Sequence, residues 1–319
     1  KPAIPYSCNL CGLCNKLCPE ELCTGDMCMA IRELMVKENI GPLPQHQFVR
    51  RDQDYATSDN FTLSRSGDAG NGAWAFFPGC NLSGSSPELV IKVYEYLQKT
   101  LPGTGIILRC CGAPTHCIGD QARFDVMADD IAEEVKKVGA TGLIVACPEC
   151  YRTIKRAARG FEVKSLYEVM VEKGLPDGAR FSAPKTFSLH DSCTARDEKT
   201  FIENVRLLIN EMGHRIDEME YSKDKTRCCG AGGMIPYVNP PLFRKIAKQR
   251  ADEAAHDVIT YCATCRDTFA STGKPAIHVQ ELIFNPEWEK NLSRPPQTGK
   301  VKREKQAELK KKISAYTQE

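Results

Sequence analysis

The chain has 319 residues, 42% of them hydrophobic and 26% charged, which supports a buried core and excludes a largely disordered protein. Its 43 Lys and Arg barely exceed its 41 Asp and Glu, so no bulk charge draws it to nucleic acid. No apolar run approaches the roughly 18 residues of a membrane span. The length allows two ordinary domains. The first residue is Lys1, so the chain is expected to be processed or numbered from inside a longer one. Lys1 to Asn15 lacks the apolar core of a signal peptide.

The residue type that decides the reading is cysteine, of which there are 17. Disulfide scaffolds suit small secreted chains with weak cores. This chain is large, has an odd number of cysteines and shows no export signal. Metal is therefore the expectation, and spacing must say which metal.

In chain order, residues 1–40 open with Cys8, Cys11, Cys14 and Cys18 followed by Pro19. This is the C-x2-C-x2-C-x3-C-P run that wraps a cubane iron–sulfur cluster. Only Cys23 and Cys28 follow in this head, too few for a second cubane, so one is expected. Its fourth ligand is Cys18 or Cys28. A helix is expected from Cys28 to Glu38. Residues 41–72 show little periodicity and read as a linker or wrapping arm.

Residues 73–182 and 183–290 then alternate short apolar runs with helical patterns. Strands are expected at Ala73–Pro78, Gly105–Leu108 and Gly142–Ala146, with helices at Glu88–Lys99 and Gln121–Val138. The later stretch repeats this with strands at Thr186–His190 and Val258–Tyr261 and helices at Lys199–Met212 and Arg244–Ala255. Such alternation argues for an α/β fold with parallel sheets. Residues 291–319 form a basic tail, expected to be a solvated and partly helical extension.

The two central stretches share one cysteine order. Cys80, Cys110, Cys111, Cys147 and Cys150 recur about 115 residues later as Cys193, Cys228, Cys229, Cys262 and Cys265. A near-constant offset marks an internal duplication. Most of these cysteines follow the carboxyl end of an expected strand, the edge where open α/β sheets place their sites. Adjacent cysteines are a poor fit to one tetrahedral zinc, and five thiolates exceed what one zinc takes. Soft thiolates suit iron–sulfur chemistry. Cys23 and Cys117 read as packing residues. His116 and His190 lie near expected ligands and read as satisfied core histidines rather than proton donors. Gly230–Gly233 lacks the spacing of a nucleotide loop.

The paired C…CCG…CxxC units, with Pro78-Gly79-Cys80, His190-Asp191-Ser192-Cys193 and Cys228-Cys229-Gly230-Ala231-Gly232-Gly233 around them, resemble the heterodisulfide reductase catalytic-subunit family of the B/D type. The resemblance covers about 75–290, and the head resembles the ferredoxin-like part fused in the membrane-linked subtype. It implies two pseudo-symmetric Rossmann-like halves and two noncubane [4Fe-4S] clusters, one held by Cys80, Cys110, Cys111, Cys147 and Cys150, the other by Cys193, Cys228, Cys229, Cys262 and Cys265. It also implies reduction of a disulfide or related sulfur substrate by one-electron steps, with the cubane cluster feeding the pair. The chain departs from the subtype in having one ferredoxin run rather than two. No acid–base residue is assigned. Expected partners are flavoprotein, other iron–sulfur, and hydrogenase or dehydrogenase subunits, with membrane contact through them and a cytoplasmic location. The alternative is an electron-transfer subunit linking a flavoprotein dehydrogenase to a quinone or other carrier.

Overall fold

The computed structural model describes residues 2–67, 72–179 and 183–316. The join expected at 182–183 borders residues outside that range. Among the described residues nine short strands form two sheets. They are β1 (Leu63–Arg65), β2 (Trp74–Phe77), β3 (Gly105–Leu108), β4 (Gly142–Val145) and β5 (Glu162–Ser165), then β6 (Thr186–His190), β7 (Arg215–Glu218), β8 (Val258–Thr260) and β9 (Ala276–His278). The first sheet has the order β1-β3-β2-β4-β5 and the second β7-β6-β8-β9. All pairings are parallel except β1 with β3. Leaving out β1, the two orders match strand for strand, so the sequence duplication is a duplication of fold.

The central strands β3 and β4 are continuous apolar runs, buried at every residue. That is what a parallel sheet covered on both faces requires. Helices between them begin where the chain supplies a start signal. Asp120 accepts from Arg123 N–H at 3.3 Å and starts Gln121–Lys137. Pro87 opens Pro87–Thr100, where its missing N–H costs nothing. The helix expected from Arg244 begins earlier, at Pro240, because Asn239 accepts from Leu242 N–H and caps it. In the head, the helix expected from Cys28 likewise starts earlier, at Thr24.

One hydrophobic core runs through both halves. At their junction Phe201 packs edge-on against Tyr151 and Tyr167, with ring centroids 5.4 and 5.3 Å away, and tilts over Tyr261 at 5.4 Å. Truncating such a buried ring costs about 3–5 kcal/mol.

Two stretches differ from their plain sequence reading. Residues 41–72 hold a helix at Gln47–Tyr55 and the edge strand β1. The tail is not a solvated extension: Gly299–Ser314 is a helix that packs on the short helix Cys80–Ser85, with Leu309 and Ile313 fully buried. Its buried apolar face is only two large residues at i and i+4, too thin to stand out among the helix's seven cations.

Candidate functional site

Each half gathers its five cysteines at the carboxyl ends of its central strands. Cys147 directly precedes helix Pro148–Ala157, which carries Cys150, and Cys262 precedes helix Ala263–Ser271, which carries Cys265. The adjacent pairs Cys110–Cys111 and Cys228–Cys229 turn at Gly112 (φ +88°) and Gly230 (φ +107°), a left-handed conformation that favours glycine. The Gly230 N–H points at Cys228 Sγ, 3.4 Å away.

The side chains meet in the same sequence of contacts in both halves. In the first, Cys80 touches Cys110, Cys110 touches Cys111, Cys111 touches Cys150 and Cys150 touches Cys147. In the second, Cys193 lies 3.7 Å from Cys228, and the chain continues through Cys229 and Cys265 to Cys262. All seventeen cysteines are free thiols. Cys110 and Cys228 each accept from two neighbouring thiols, which holds them well below the ordinary thiol range. Their donors Cys80, Cys111, Cys193 and Cys229 are pushed up by the same bonds. Packing several acidic sulfurs in a buried site stabilises thiolates only if cations join them. Five sulfurs in unbroken contact, all buried in the second half and three of five buried in the first, therefore fit a multi-iron centre and exceed one tetrahedral ion. His190 joins the second set: one of its ring nitrogens and the sulfurs of Cys229 and Cys265 all lie within 4.8 Å of one another.

All ten thiols line one cavity of about 180 Å³ between the halves. Asn81 Nδ2 donates across the junction to Thr264 Oγ1 at 2.8 Å. The cavity shares Cys80, Cys110 and Met234 with a larger outer chamber of about 420 Å³.

The head docks against the second half. Cys8 contacts Cys28, whereas Cys18 closes a turn by donating its N–H to the Cys14 carbonyl at 2.8 Å. Cys14 is held below the ordinary thiol range. Burial, the largest single influence, pushes it up, but the N–H groups of Gly25, Thr24 and Asn15 and the Thr24 side chain together outweigh that. Cys11 packs with the second set of thiols. Asn9 Nδ2 donates to Cys228 Sγ at 3.1 Å. This approach needs Gly232 and Gly233. A Cβ at Gly232 would lie 2.5 Å from the Asn9 carbonyl oxygen, and one at Gly233 (φ +59°) would collide with the Cys8 carbonyl oxygen. These two glycines make room for the head, a role that the sequence reading did not assign.

The duplicated sulfur frame has counterparts in known proteins. The CCG cysteine-rich domain matches residues 74–155 and again 187–270, the two halves just described. The chain belongs to this family, in its heterodisulfide reductase B/D branch. It is 24% identical to a dihydromethanophenazine:CoB–CoM heterodisulfide reductase subunit of Methanosarcina mazei, over 87% of this chain and 75% of that one. It is 23% identical to a CoM/CoB fumarate reductase subunit of Methanothermobacter marburgensis, over 87% of this chain and 60% of the relative. Identity is 22% with the EtfAB:quinone oxidoreductase of Syntrophomonas wolfei, over 64% of this chain and 32% of that one. These likenesses make the chain an iron–sulfur oxidoreductase subunit of the heterodisulfide reductase kind. Among the described residues no helix is long and apolar enough to cross a membrane.

Within this heterodisulfide-reductase-like chain, several residues that serve the site carry no motif. Arg32 is fully buried and donates to the carbonyls of Pro5, Cys8, Cys117 and Gly233, riveting the head to both halves. Arg196 donates to Cys11 O at 2.9 Å and Thr226 O at 2.6 Å. Gln53, from the arm, sets Nε2 3.8 Å from Cys110 Sγ. The two histidines are kept neutral: burial, then Arg156, lowers His116 to about 4, and burial, then Arg250, lowers His190 to about 3. Neither offers a charged proton donor near pH 7. Cys117 is buried and its thiol is pushed up to about 11, chiefly by desolvation.

Proposed function

We propose that this chain is the catalytic iron–sulfur subunit of a heterodisulfide-reductase-like complex and reduces a disulfide or related sulfur substrate in the cavity between its halves. The observation that carries this reading is the convergence of ten thiols, five from each half, on one cavity. Cys80, Cys110, Cys111, Cys147 and Cys150 would hold one noncubane [4Fe-4S] cluster, and Cys193, Cys228, Cys229, Cys262 and Cys265 the other. Cys8, Cys11, Cys14 and Cys18 would hold a cubane, with Cys28 as the alternative to Cys18 because it sits beside Cys8. Bound there, the clusters supply single electrons to a disulfide lying between them.

The balance is R–S–S–R plus two electrons and two protons giving two thiols. Electrons enter from flavoprotein or other redox subunits, and protons come from solvent, since no charged histidine faces the cavity. The chain's own residues line the cavity, join the two halves through Asn81 and Thr264, and would set each cluster's surroundings with fixed N–H donors. A cytoplasmic location, with membrane contact through partner subunits, belongs to the same reading.

Anaerobic purification tests it. The expected result is about twelve irons per chain with matching acid-labile sulfide, and a paramagnetic signal that appears when a thiol is added. Zinc without sulfide would overturn it. A second reading, electron transfer between a flavoprotein dehydrogenase and a quinone, is favoured by the likeness to the EtfAB:quinone oxidoreductase. Clusters indifferent to thiols but oxidised by a quinone would select that reading.

A further inference from the structure

The outer chamber shares walls with the thiol-lined cavity, and the arm, both halves and the tail helix all line it. The arm gives Val49, Asp52 and Gln53, the second half gives Phe243, Thr264 and Asp267, the glycine loop leads into Tyr237, and the tail helix gives Lys302, Arg303 and Gln306. Its size suits a small organic molecule, and its surface is largely aliphatic and aromatic.

The charges in these walls are already matched. Lys302 Nζ binds Asp267 Oδ2 at 2.7 Å and Asn81 Oδ1 at 2.7 Å. Arg303 pairs with Asp52. In the inner cavity Arg152 pairs with Glu149 at 3.0 Å. An anionic substrate would enter a partly desolvated site where each cation is engaged, and would have to break a pair to be compensated. Two acceptors in its walls, by contrast, lack a donor: Gln297 Oε1 and the more deeply buried Gln306 Oε1. Gln306 donates Nε2 to the Cys80 carbonyl at 2.8 Å, which fixes its amide orientation and leaves Oε1 unpartnered. The residue is 6% exposed.

We infer that the outer chamber selects an uncharged disulfide. Its apolar body would lie on Val49, Met234, Tyr237 and Phe243, a hydroxyl or amide N–H would donate to Gln306 Oε1, and Asp267 and Asp52 exclude anions by occupying Lys302 and Arg303. This rests on the reductase reading and names its substrate class. The step is the one balanced above, with electrons from partner subunits or, in the test, from dithionite.

The test uses a matched pair of probes, bis(4-hydroxyphenyl) disulfide and bis(4-carboxyphenyl) disulfide, the first neutral and the second a dianion at pH 7. Binding is measured by equilibrium dialysis on the oxidised full chain at low salt, so no turnover is needed. Wild type is expected to bind the neutral probe at least about tenfold more tightly, the worth of one uncompensated charge in a partly desolvated site. Asp267→Asn and, separately, Asp52→Asn each free one cation and should narrow the gap about fivefold or more. Lys302→Gln should widen it. Gln306→Leu should weaken only the neutral probe, by about fivefold for one hydrogen bond. Equal or tighter binding of the dianion by wild type overturns the inference, as does a gap unmoved in both aspartate variants. Iron and sulfide analysis of the same samples keeps the two failures apart. A chain with full clusters that prefers the dianion sinks the substrate class alone. One that prefers the neutral probe but never cleaves it when reduced sinks the reductase reading alone.

Discussion

The first and second halves repeat one arrangement of sulfurs and differ in what surrounds it. Sheet register makes the comparison residue by residue. Phe77 pairs with Val145, two residues before Cys147, and His190 pairs with Thr260, two before Cys262. An apolar ring in one half thus stands where the other has an imidazole. Likewise Ser165 ends β5 and caps the next helix, while His278 ends β9 and does the same. The first set of thiols receives Gln53 from the arm, and the second receives Asn9 from the head. The sulfur frame has been kept while its polar neighbours diverged, so two like centres need not share one potential.

The most severe way to break the symmetry is to remove the middle of either chain of contacts. Cys111→Ala and Cys229→Ala are each expected to lower iron by about four per chain while leaving the other half loaded; iron and sulfide analysis reads this directly. If both variants lose everything, the halves are not independent. Next in size is the head. Gly233→Ala forces a side chain against the Cys8 carbonyl in a left-handed conformation, and should cost about 1–3 kcal/mol, seen as a lower melting temperature with early loss of the visible absorbance of the cluster proposed for the head.

Acid should expose the second half's histidine cap. His278 is lowered to about 4, first by burial, against an ordinary 6.5. Its folded pKa is depressed, so between these values the unfolded chain binds the extra proton. Stability is full above pH 6.5 and drains as pH falls toward 4. At pH 5 the loss is about 2 kcal/mol. His278→Ser installs the first half's cap and should flatten that slope in denaturant titrations at pH 7 and 5. The smallest effect is at His190. Its Nδ1 accepts from Arg250 Nε at 3.3 Å, so Nε2 carries the proton, and one ring nitrogen lies within 4.8 Å of the sulfurs of Cys229 and Cys265. His190→Phe, which copies Phe77, removes that donor and should lower the second centre's midpoint by about 40–60 mV. The first centre should stay put in a potentiometric titration followed by electron paramagnetic resonance.

Much of this was legible in the residues. The buried strands read as short apolar runs because parallel strands covered on both faces must be apolar, and the repeat of C…CCG…CxxC marked the two groups of five thiols that the fold brings together. What stayed hidden is contact between distant segments. The helix at Gln47–Tyr55 has a weak apolar pattern because the face it turns inward carries Val49 and Gln53, one of them polar. Arg32 looks like any surface cation until four carbonyls from three regions are seen to converge on it. Gly232 and Gly233 sit beside a cysteine pair and invite a reading in terms of sulfur, yet their missing side chains admit the backbone of Cys8 and Asn9. The tail's burial rests on Leu309 and Ile313 amid a run of lysines, a signal that only the partner surface reveals.

The tail helix has a further consequence. It touches the arm through Arg303, the first half through Gln306 on the Cys80 carbonyl, and the second through Lys302 on Asp267. A single strut therefore bridges three parts of the chain at the doorway to the sulfurs. Shaving it off after Thr298 would uncover the core that Leu309 and Ile313 seal and unbolt the porch as well, so melting temperature and survival in air should fall together.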